Sequence, residues 1–181
     1  MLGGVVGDSA AGFHLVLGKS GTVSAEERSR LLEAHHMPQA QVALGRLIAT
    51  RRLATAMVDI SDGVLQDLGH ICEESGVGAE VDADRLPVSE AARHLASVAG
   101  LDVRDWALKG GEDFVLLFCV PAQSDQRVRE LCRGELGIEL TTIGRITQKR
   151  GVRVRRDGTL LEMTVGGYDH FRARRSGDGV G

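Results

Sequence analysis

Met57-Val58-Asp59-Ile60-Ser61-Asp62-Gly63 decides how this chain reads. An apolar run, residues 54–58, ends in the carboxylate of Asp59. A hydroxyl, a second carboxylate and a glycine follow, and then Val64, Leu65, Leu68 and Ile71 recur at helical spacing. The stretch predicts a buried strand over residues 54–60 that turns into a helix over residues 62–75. Two acids three residues apart at such a turn suit a hard cation, since Mg²⁺ takes oxygen ligands and commonly uses one or two carboxylates plus substrate phosphates. The helix N-terminus adds backbone N–H groups and a positive dipole end facing any phosphate. A plainer reading stands beside this one. Ser61 caps the helix, or gives its hydroxyl to a phosphate, and Asp62 favours the first turn electrostatically. Capping leaves Asp59 without a purpose, because a carboxylate at the end of a buried strand costs free energy unless it is paired or bound to a metal.

Outward from that turn, helices and strands mix. Residues 2–6 read as a short strand. Gly7-Asp8-Ser9 is a turn with N-cap chemistry before a helix over residues 10–17. Ser24 and Glu27 have the capping-box spacing for a helix ending near His35, and Pro38 marks the next helical start. C-terminal to the turn, residues 79–81 are a short strand, and Pro87 and Ser89 open a helix to about Ala99. Residues 114–120 form a continuous apolar strand ended by Pro121, residues 124–133 are helical, and residues 141–146 are a strand. Asp157-Gly158 sits between two strand-like runs, a strong hairpin signal. The expected fold is α+β, a mixed sheet packed with helices. Residues 1–171 are one domain, followed by a flexible Gly-, Arg- and Ser-rich tail over residues 172–181.

Two further clusters carry chemistry. Lys109-Gly110-Gly111-Glu112-Asp113 precedes the 114–120 strand. Its glycines permit positive φ or close approach of a ligand, and Glu112 can accept hydrogen bonds from a substrate. The plain alternative is a polar turn. Gly166-Gly167-Tyr168-Asp169-His170-Phe171 puts an aromatic on a Gly-Gly hinge, where Tyr168 can stack on a flat cationic ring or simply plug the end of the core. Gly18-Lys19-Ser20 imitates the end of a P-loop, but Phe13 stands where that motif needs glycine and a helix precedes it instead of a strand. The histidines at 14, 35, 36, 70 and 94 show no metal or triad pattern and read as helix-surface residues.

The bulk composition narrows the rest. The 181 residues are 43% hydrophobic and 26% charged, ordinary for a globular domain with a sizeable core. Only 3% are aromatic, so that core must be aliphatic. A net charge of −3 offers no global field for nucleic acid or anionic membrane. Cys72, Cys119 and Cys132 have no metal spacing and read as reduced structural thiols. No apolar run approaches the roughly 18 residues of a membrane span, and no secretory pattern opens the chain, so the expected compartment is the cytoplasm.

Taken in order, Gly-Asp-Ser-Ala-Ala-Gly from Gly7, Asp-Ile-Ser-Asp-Gly from Asp59, Gly-Gly-Glu-Asp from Gly110 and Gly-Tyr-Asp-His-Phe from Gly167 resemble thiamine-monophosphate kinase. The resemblance runs from Gly7 to Phe171. It implies the C-terminal-domain fold shared with aminoimidazole ribonucleotide synthase, and a reaction in which ATP phosphorylates thiamine monophosphate to thiamine diphosphate. It implies Asp59 and Asp62 as Mg²⁺ ligands, Ser61 as an ATP contact, and Glu112 and Tyr168 as substrate contacts, with no catalytic base assigned. Family members carry a further N-terminal domain with more metal-binding acids, much of the ATP site and the dimer interface. This chain resembles only the C-terminal half, so the full-length protein is expected to be a homodimer and the isolated chain inactive. Two alternatives stand beside it: a non-catalytic split or degenerate binding module, and another ATP-dependent enzyme of the aminoimidazole ribonucleotide synthase superfamily.

Overall fold

The capping signals and the Asp157-Gly158 turn set most of the architecture, seen here in a computed structural model that describes residues 1–19 and 21–162. Tyr168, the 166–171 cluster and the expected tail over residues 172–181 lie outside the described residues. Helix α1 (Asp8–Val16) and helix α2 (Ala25–His36) pack as a pair. The capping box of α2 forms as expected: the Glu27 N–H donates to Ser24 Oγ and the Ser24 N–H to Glu27 Oε2. Helix α3 (Val42–Thr50) precedes strand β1 (Ala56–Asp59), and helix α4 (Val64–Ser75) follows the 59–63 turn. Strand β2 (Gly78–Asp82) leads to helix α5 (Glu90–Ala99), whose N-cap Ser89 accepts the Ala92 N–H. Helix α6 (Val103–Lys109), strand β3 (Leu116–Cys119), helix α7 (Asp125–Leu136) and strands β4 (Gly144–Thr147), β5 (Gly151–Arg156) and β6 (Thr159–Glu162) complete the order.

The α+β expectation holds, with a mixed sheet covered by helices. Strands run β4-β2-β5-β6, with β2 and β5 parallel and the outer pairs antiparallel. The β5–β6 hairpin turns on Asp157 and Gly158, whose φ values of 50° and 75° are those of a type I′ turn. Strands β1 and β3 form a separate antiparallel pair, from Ala56 opposite Cys119 to Asp59 opposite Leu116. The strand expected over residues 2–6 shrinks to one bridging residue, Leu2, joined to Leu117 and Thr141. Gly3 and Gly4 have no side chain to fill a pleated face, so the ladder does not continue.

Helix α4 spans the centre. Val64, Leu65, Leu68 and Cys72 meet Ala79, Val81, Val152 and Val154 from β2 and β5, and Leu108 from α6. A second cluster joins Leu44 and Ile48 of α3 to Phe118, Val128 and Cys132, and a third joins Ala11 and Leu15 of α1 to Leu31 and Leu95. Phe118 is the one aromatic among the fully buried side chains of the described residues, as the composition requires. The thiols of Cys72, Cys119 and Cys132 are all free. No helix among the described residues is long and apolar enough to cross a membrane.

Candidate functional site

The 59–63 turn is built differently from what local capping rules suggest. Ser61 does not cap α4. The N-cap is Gly63 at φ 116° and ψ 154°, with no side-chain cap of its own. The three successive N–H groups of Ser61, Asp62 and Gly63 instead converge on one oxygen, Asp67 Oδ2, at 3.0, 3.1 and 3.1 Å. Asp67 is only 2% exposed. Burial pushes its carboxyl above the usual aspartate range, while the three amides pull it back down. The expected anion-binding N–H groups of this turn are therefore already engaged by the chain's own carboxylate. Any phosphate at this turn must be held by side chains and a cation rather than by those three amides.

Asp59 also departs from expectation. Strand β1 is half-exposed along its length, and both Asp59 and Asp62 face solvent. Asp59 thus bears no cost of burial, and the argument that it must be paired for that reason falls away. Asp62 Oδ2 accepts a hydrogen bond from Gln66 Nε2 at 3.0 Å. One ligand atom each from Asp62, Asp67 and His70 lies within 4.8 Å of the other two, a grouping that shares Asp62 with the expected pair but takes in a histidine. His70 was read from the sequence as a plain helix-surface residue. It is exposed, and its place three residues after Asp67 on α4 turns it toward the acids.

The 110–114 loop lies directly against this turn. The Glu112 N–H donates to the Ser61 carbonyl at 2.9 Å and the Phe114 N–H to the Ile60 carbonyl at 2.8 Å. A Cβ on Gly111 would sit 2.2 Å from the Ser61 carbonyl oxygen, and one on Gly63 2.9 Å from the Lys109 carbonyl carbon. Only glycine at both positions lets the two backbones touch. Glu112 and Phe114 adopt left-handed φ values of 65° and 51°, which explains why β3 starts at Leu116 and not at Phe114. The Glu112 side chain is exposed. Asp59, Ser61, Asp62 and Glu112 therefore belong to two loops in backbone contact, whereas Tyr168 is outside the described residues.

Between the two left-handed residues, Asp113 turns inward. Its Oδ2 accepts the Gly7 N–H at 2.7 Å and its Oδ1 the Ser9 N–H at 3.1 Å. Helix α1 is therefore capped by a residue from across the molecule, not by Asp8 or Ser9. Burial raises the Asp113 carboxyl to about 6, with the two amides opposing and Asp8 adding to the rise. Asp8 is itself buried, accepts the Ser89 hydroxyl at 2.5 Å, and has the Arg30 guanidinium 4.0 Å away. Sequence reasoning did not single out Asp67, His70 or Asp113. The i, i+3 spacing of Asp67 and His70 could have suggested the first two; the third closes the Gly-Gly-Glu-Asp motif, but nothing local marks its partners Gly7 and Ser9.

The exposed acids sit on an open face. A cavity of about 490 Å³ between Met1, Phe118, Ile143 and Ile146 contains none of them. A recess of about 360 Å³ beside the turn is lined by Gln66, His70, Glu73 and Arg150.

Several known proteins are similar to this chain in sequence and fold. Thiamine-monophosphate kinase of Salmonella typhimurium is 38% identical over 170 residues, 93% of this chain and 50% of the relative. That of Aquifex aeolicus is 33% identical over 168 residues, again 93% of this chain and 50% of the relative. The chain spans about half the length of the curated relatives it matches. The crystal structure of thiamine-monophosphate kinase from Stenotrophomonas maltophilia K279a superposes with a TM-score of 0.76 at 38% identity, covering 87% of this chain and 49% of that one. The structure of AaThiL complexed with AMPPCP and TMP gives 0.76 at 31% identity, covering 94% and 50%. The hydrogenase maturation protein HypE of E. coli, at 18% identity and a TM-score of 0.67, shares the fold. The family described as AIR synthase related protein, C-terminal domain, matches residues 1–157, and with α4, strands β1 to β5 and the paired loops all inside that span, this chain belongs to it.

Proposed function

We propose that this chain is the metal- and substrate-side domain of a thiamine-monophosphate kinase, in which ATP phosphorylates thiamine monophosphate to thiamine diphosphate. The observation that carries the reading is the backbone contact between the two loops. The Glu112 N–H is bonded to the Ser61 carbonyl, so a substrate-recognising acid and a pair of cation-binding acids border one surface. Similarity at 30–38% to several bacterial thiamine-monophosphate kinases supports the substrate, and the relative complexed with AMPPCP and TMP supports an ATP-type co-substrate.

The donor set fits Mg²⁺. Asp59 and Asp62 offer exposed carboxylate oxygens, the ligands this hard cation prefers, whereas Asp67 Oδ2 is already shared among three amides. Mg²⁺ held there would neutralise charge on the phosphate oxygens. The chain's own groups do the rest. The Ser61 hydroxyl, free of capping duty, contacts ATP. Glu112 accepts hydrogen bonds from the thiamine portion, and Tyr168 covers its ring. Phosphoryl transfer of this kind needs positioning and charge neutralisation more than a covalent nucleophile.

In this reading residues 1–171 form one domain, and a second, acid-bearing domain supplies most of the ATP site and the contacts of a homodimer. The 181-residue chain alone is then inactive, and the whole enzyme works in the cytoplasm. Thermal denaturation with thiamine monophosphate, and separately with aminoimidazole ribonucleotide, tests the substrate. Thiamine monophosphate raises the melting temperature in proportion to log concentration above Kd and aminoimidazole ribonucleotide does not. The reverse ranking overturns the reading.

A further inference from the structure

We propose that Asp113 is the positioning residue for Glu112. Its carboxylate, clamped on the Gly7 and Ser9 amides, holds the 112–114 backbone in the left-handed geometry that presents Glu112 beside the 59–63 turn.

Four observations carry this. First, Asp113 lies between two non-glycine residues with positive φ, Glu112 at 65° and Phe114 at 51°. A left-handed backbone is unfavourable for any residue with a Cβ, and for a bulky residue such as Phe it is a true outlier. Two in three residues do not persist unless the surroundings over-determine them. Secondly, the loop is tied on only two sides. Glu112 and Phe114 donate their N–H groups to Ser61 and Ile60. Asp113 turns its side chain the other way and takes the amides of Gly7 and Ser9, 106 and 104 residues distant, at 2.7 and 3.1 Å. Thirdly, Gly7 is itself left-handed at φ 90° and packs on Ala107, whose backbone nitrogen would be 2.9 Å from an added Cβ. The start of α1 is thus fixed against α6, and the amides offered to Asp113 stand on a firm base. Fourthly, both carboxylate oxygens are used, one per amide. An asparagine of the same shape would put an NH₂ group against one of the two N–H donors. The geometry calls for a charge that accepts twice, and not for a side chain of that volume.

The consequence concerns the substrate side of the proposed site and rests on the function proposed above. Loosening Asp113 leaves the Asp59 and Asp62 turn intact, because Asp67 holds that turn independently. It frees the 112–114 backbone, and with it Glu112.

Asp113→Asn in the 181-residue chain tests this by native-state amide exchange followed by NMR. The Glu112 and Phe114 amides are expected to exchange roughly tenfold faster or more, the loss expected when a charged acceptor is replaced by a mismatched amide. The Glu27 amide, bonded to Ser24 in a remote capping box, serves as the control and stays unchanged. Unchanged protection at Glu112 and Phe114 overturns the inference, and so does an increase of equal size at Glu27, which would signal general destabilisation. Calorimetric titration with thiamine monophosphate separates the two proposals. A wild-type chain that binds, and an Asp113→Asn chain that binds roughly tenfold more weakly while its exchange change stays local, supports both. Local exchange change with no binding by wild-type chain refutes the substrate assignment and leaves the positioning role standing. Unaltered affinity in Asp113→Asn overturns the positioning role.

Discussion

The 59–63 turn and the 110–114 loop touch along their backbones, yet they are held in opposite ways. The turn is organised from within. Asp67, four to six residues downstream on α4, collects three consecutive amides on one oxygen. The loop is organised from far away. Asp113 reaches across the fold to Gly7 and Ser9, and the price is one left-handed residue on each side of it. In both, an inward-turned carboxylate, buried at Asp67 and half-buried at Asp113, fixes the backbone, and the exposed acids, Asp59, Asp62 and Glu112, contribute little to holding the fold together. That separation of roles leaves the exposed acids available for a cation or a substrate. It also predicts that the turn and the loop respond differently to the same kinds of change.

The largest effect is expected at the turn. Asp67→Ala strands three amides at the start of the central helix, one of them buried, and removes a charge-assisted acceptor from each. A loss of about 3–4 kcal/mol is expected, from the roughly 1–3 kcal/mol typical of an unsatisfied buried donor and partial rescue by water. Urea denaturation measures it. A loss below about 1 kcal/mol would mean that the turn holds its shape without Asp67.

The contact between the two regions comes next. Gly111→Ala places a methyl 2.2 Å from the Ser61 carbonyl oxygen, a backbone atom with no freedom to swing aside. The loops must part, breaking the Glu112-to-Ser61 hydrogen bond. About 2–3 kcal/mol is expected, in the range of overpacked sites. The same change at Gly134, where an added Cβ meets nothing within 4 Å, is a control that should not destabilise. Equal results at the two glycines would deny the close approach.

Much of the frame around these regions was legible in the sequence, because its signals are local. Ser24 and Glu27 form their capping box, Ser89 caps α5, and Asp157-Gly158 makes its hairpin, each by interactions spanning a few residues. Helix α6 was passed over because seven residues give barely two turns of periodicity, although Asp102 supplies its cap by accepting the Arg104 N–H. The apolar Ala54, Ala56 and Val58 read as a buried strand, yet among the described residues β1 pairs on one edge, with β3, and leaves Met57 and Asp59 in solvent. The motif at residues 59–63 announced a site but not its wiring. Ser61 obeys the statistics of an N-cap, and a better acceptor one turn further on displaces it. The Asp113 clamp had no local signature, since it depends on α1 and the 110–114 loop meeting across a hundred residues.

The loop's clamp should also show in the pH dependence of stability. Burial lifts the Asp113 carboxyl from an ordinary aspartate value to about 6 in the folded chain. Between about pH 4 and pH 6 the native state then holds a proton that the unfolded chain has released. Stability supplied by this group is therefore greatest below about pH 4 and falls as pH rises through 6. The drop expected is about 1–2 kcal/mol, less than the full shift implies because Asp113 is partly exposed. Asp8 and Asp67 are raised in the same direction, and burial lowers the Met1 amino group to about 6 with the opposite effect, so the wild-type curve sums several groups. Subtracting the Asp113→Asn curve isolates one. Parallel curves from pH 4 to pH 7 would show that the Asp113 carboxyl is not raised, its two amides at least balancing burial.

The smallest effect gives the sharpest contrast, because one substitution should act with opposite sign in the two regions. Glu112 holds φ at 65°, whereas Asp62 is not left-handed. Glu112→Gly removes a left-handed penalty of about 1–2 kcal/mol, offset by the roughly 0.5–1 kcal/mol of extra backbone entropy that glycine gives the unfolded chain. The net is a gain of a few tenths to about 1 kcal/mol. Asp62→Gly keeps its N–H on Asp67 and relieves no backbone strain, and the lost Gln66 hydrogen bond offsets the charge repulsion removed from Asp67, so the same entropy term makes it destabilising by about 0.5–1 kcal/mol. Measured side by side in urea, the two midpoints should move apart. If both fall, the strain at Glu112 is absent in solution and Asp113 has nothing to hold. If Glu112→Gly rises while affinity for thiamine monophosphate drops, the fold is carrying an unfavourable backbone at that position to keep one carboxylate beside the turn.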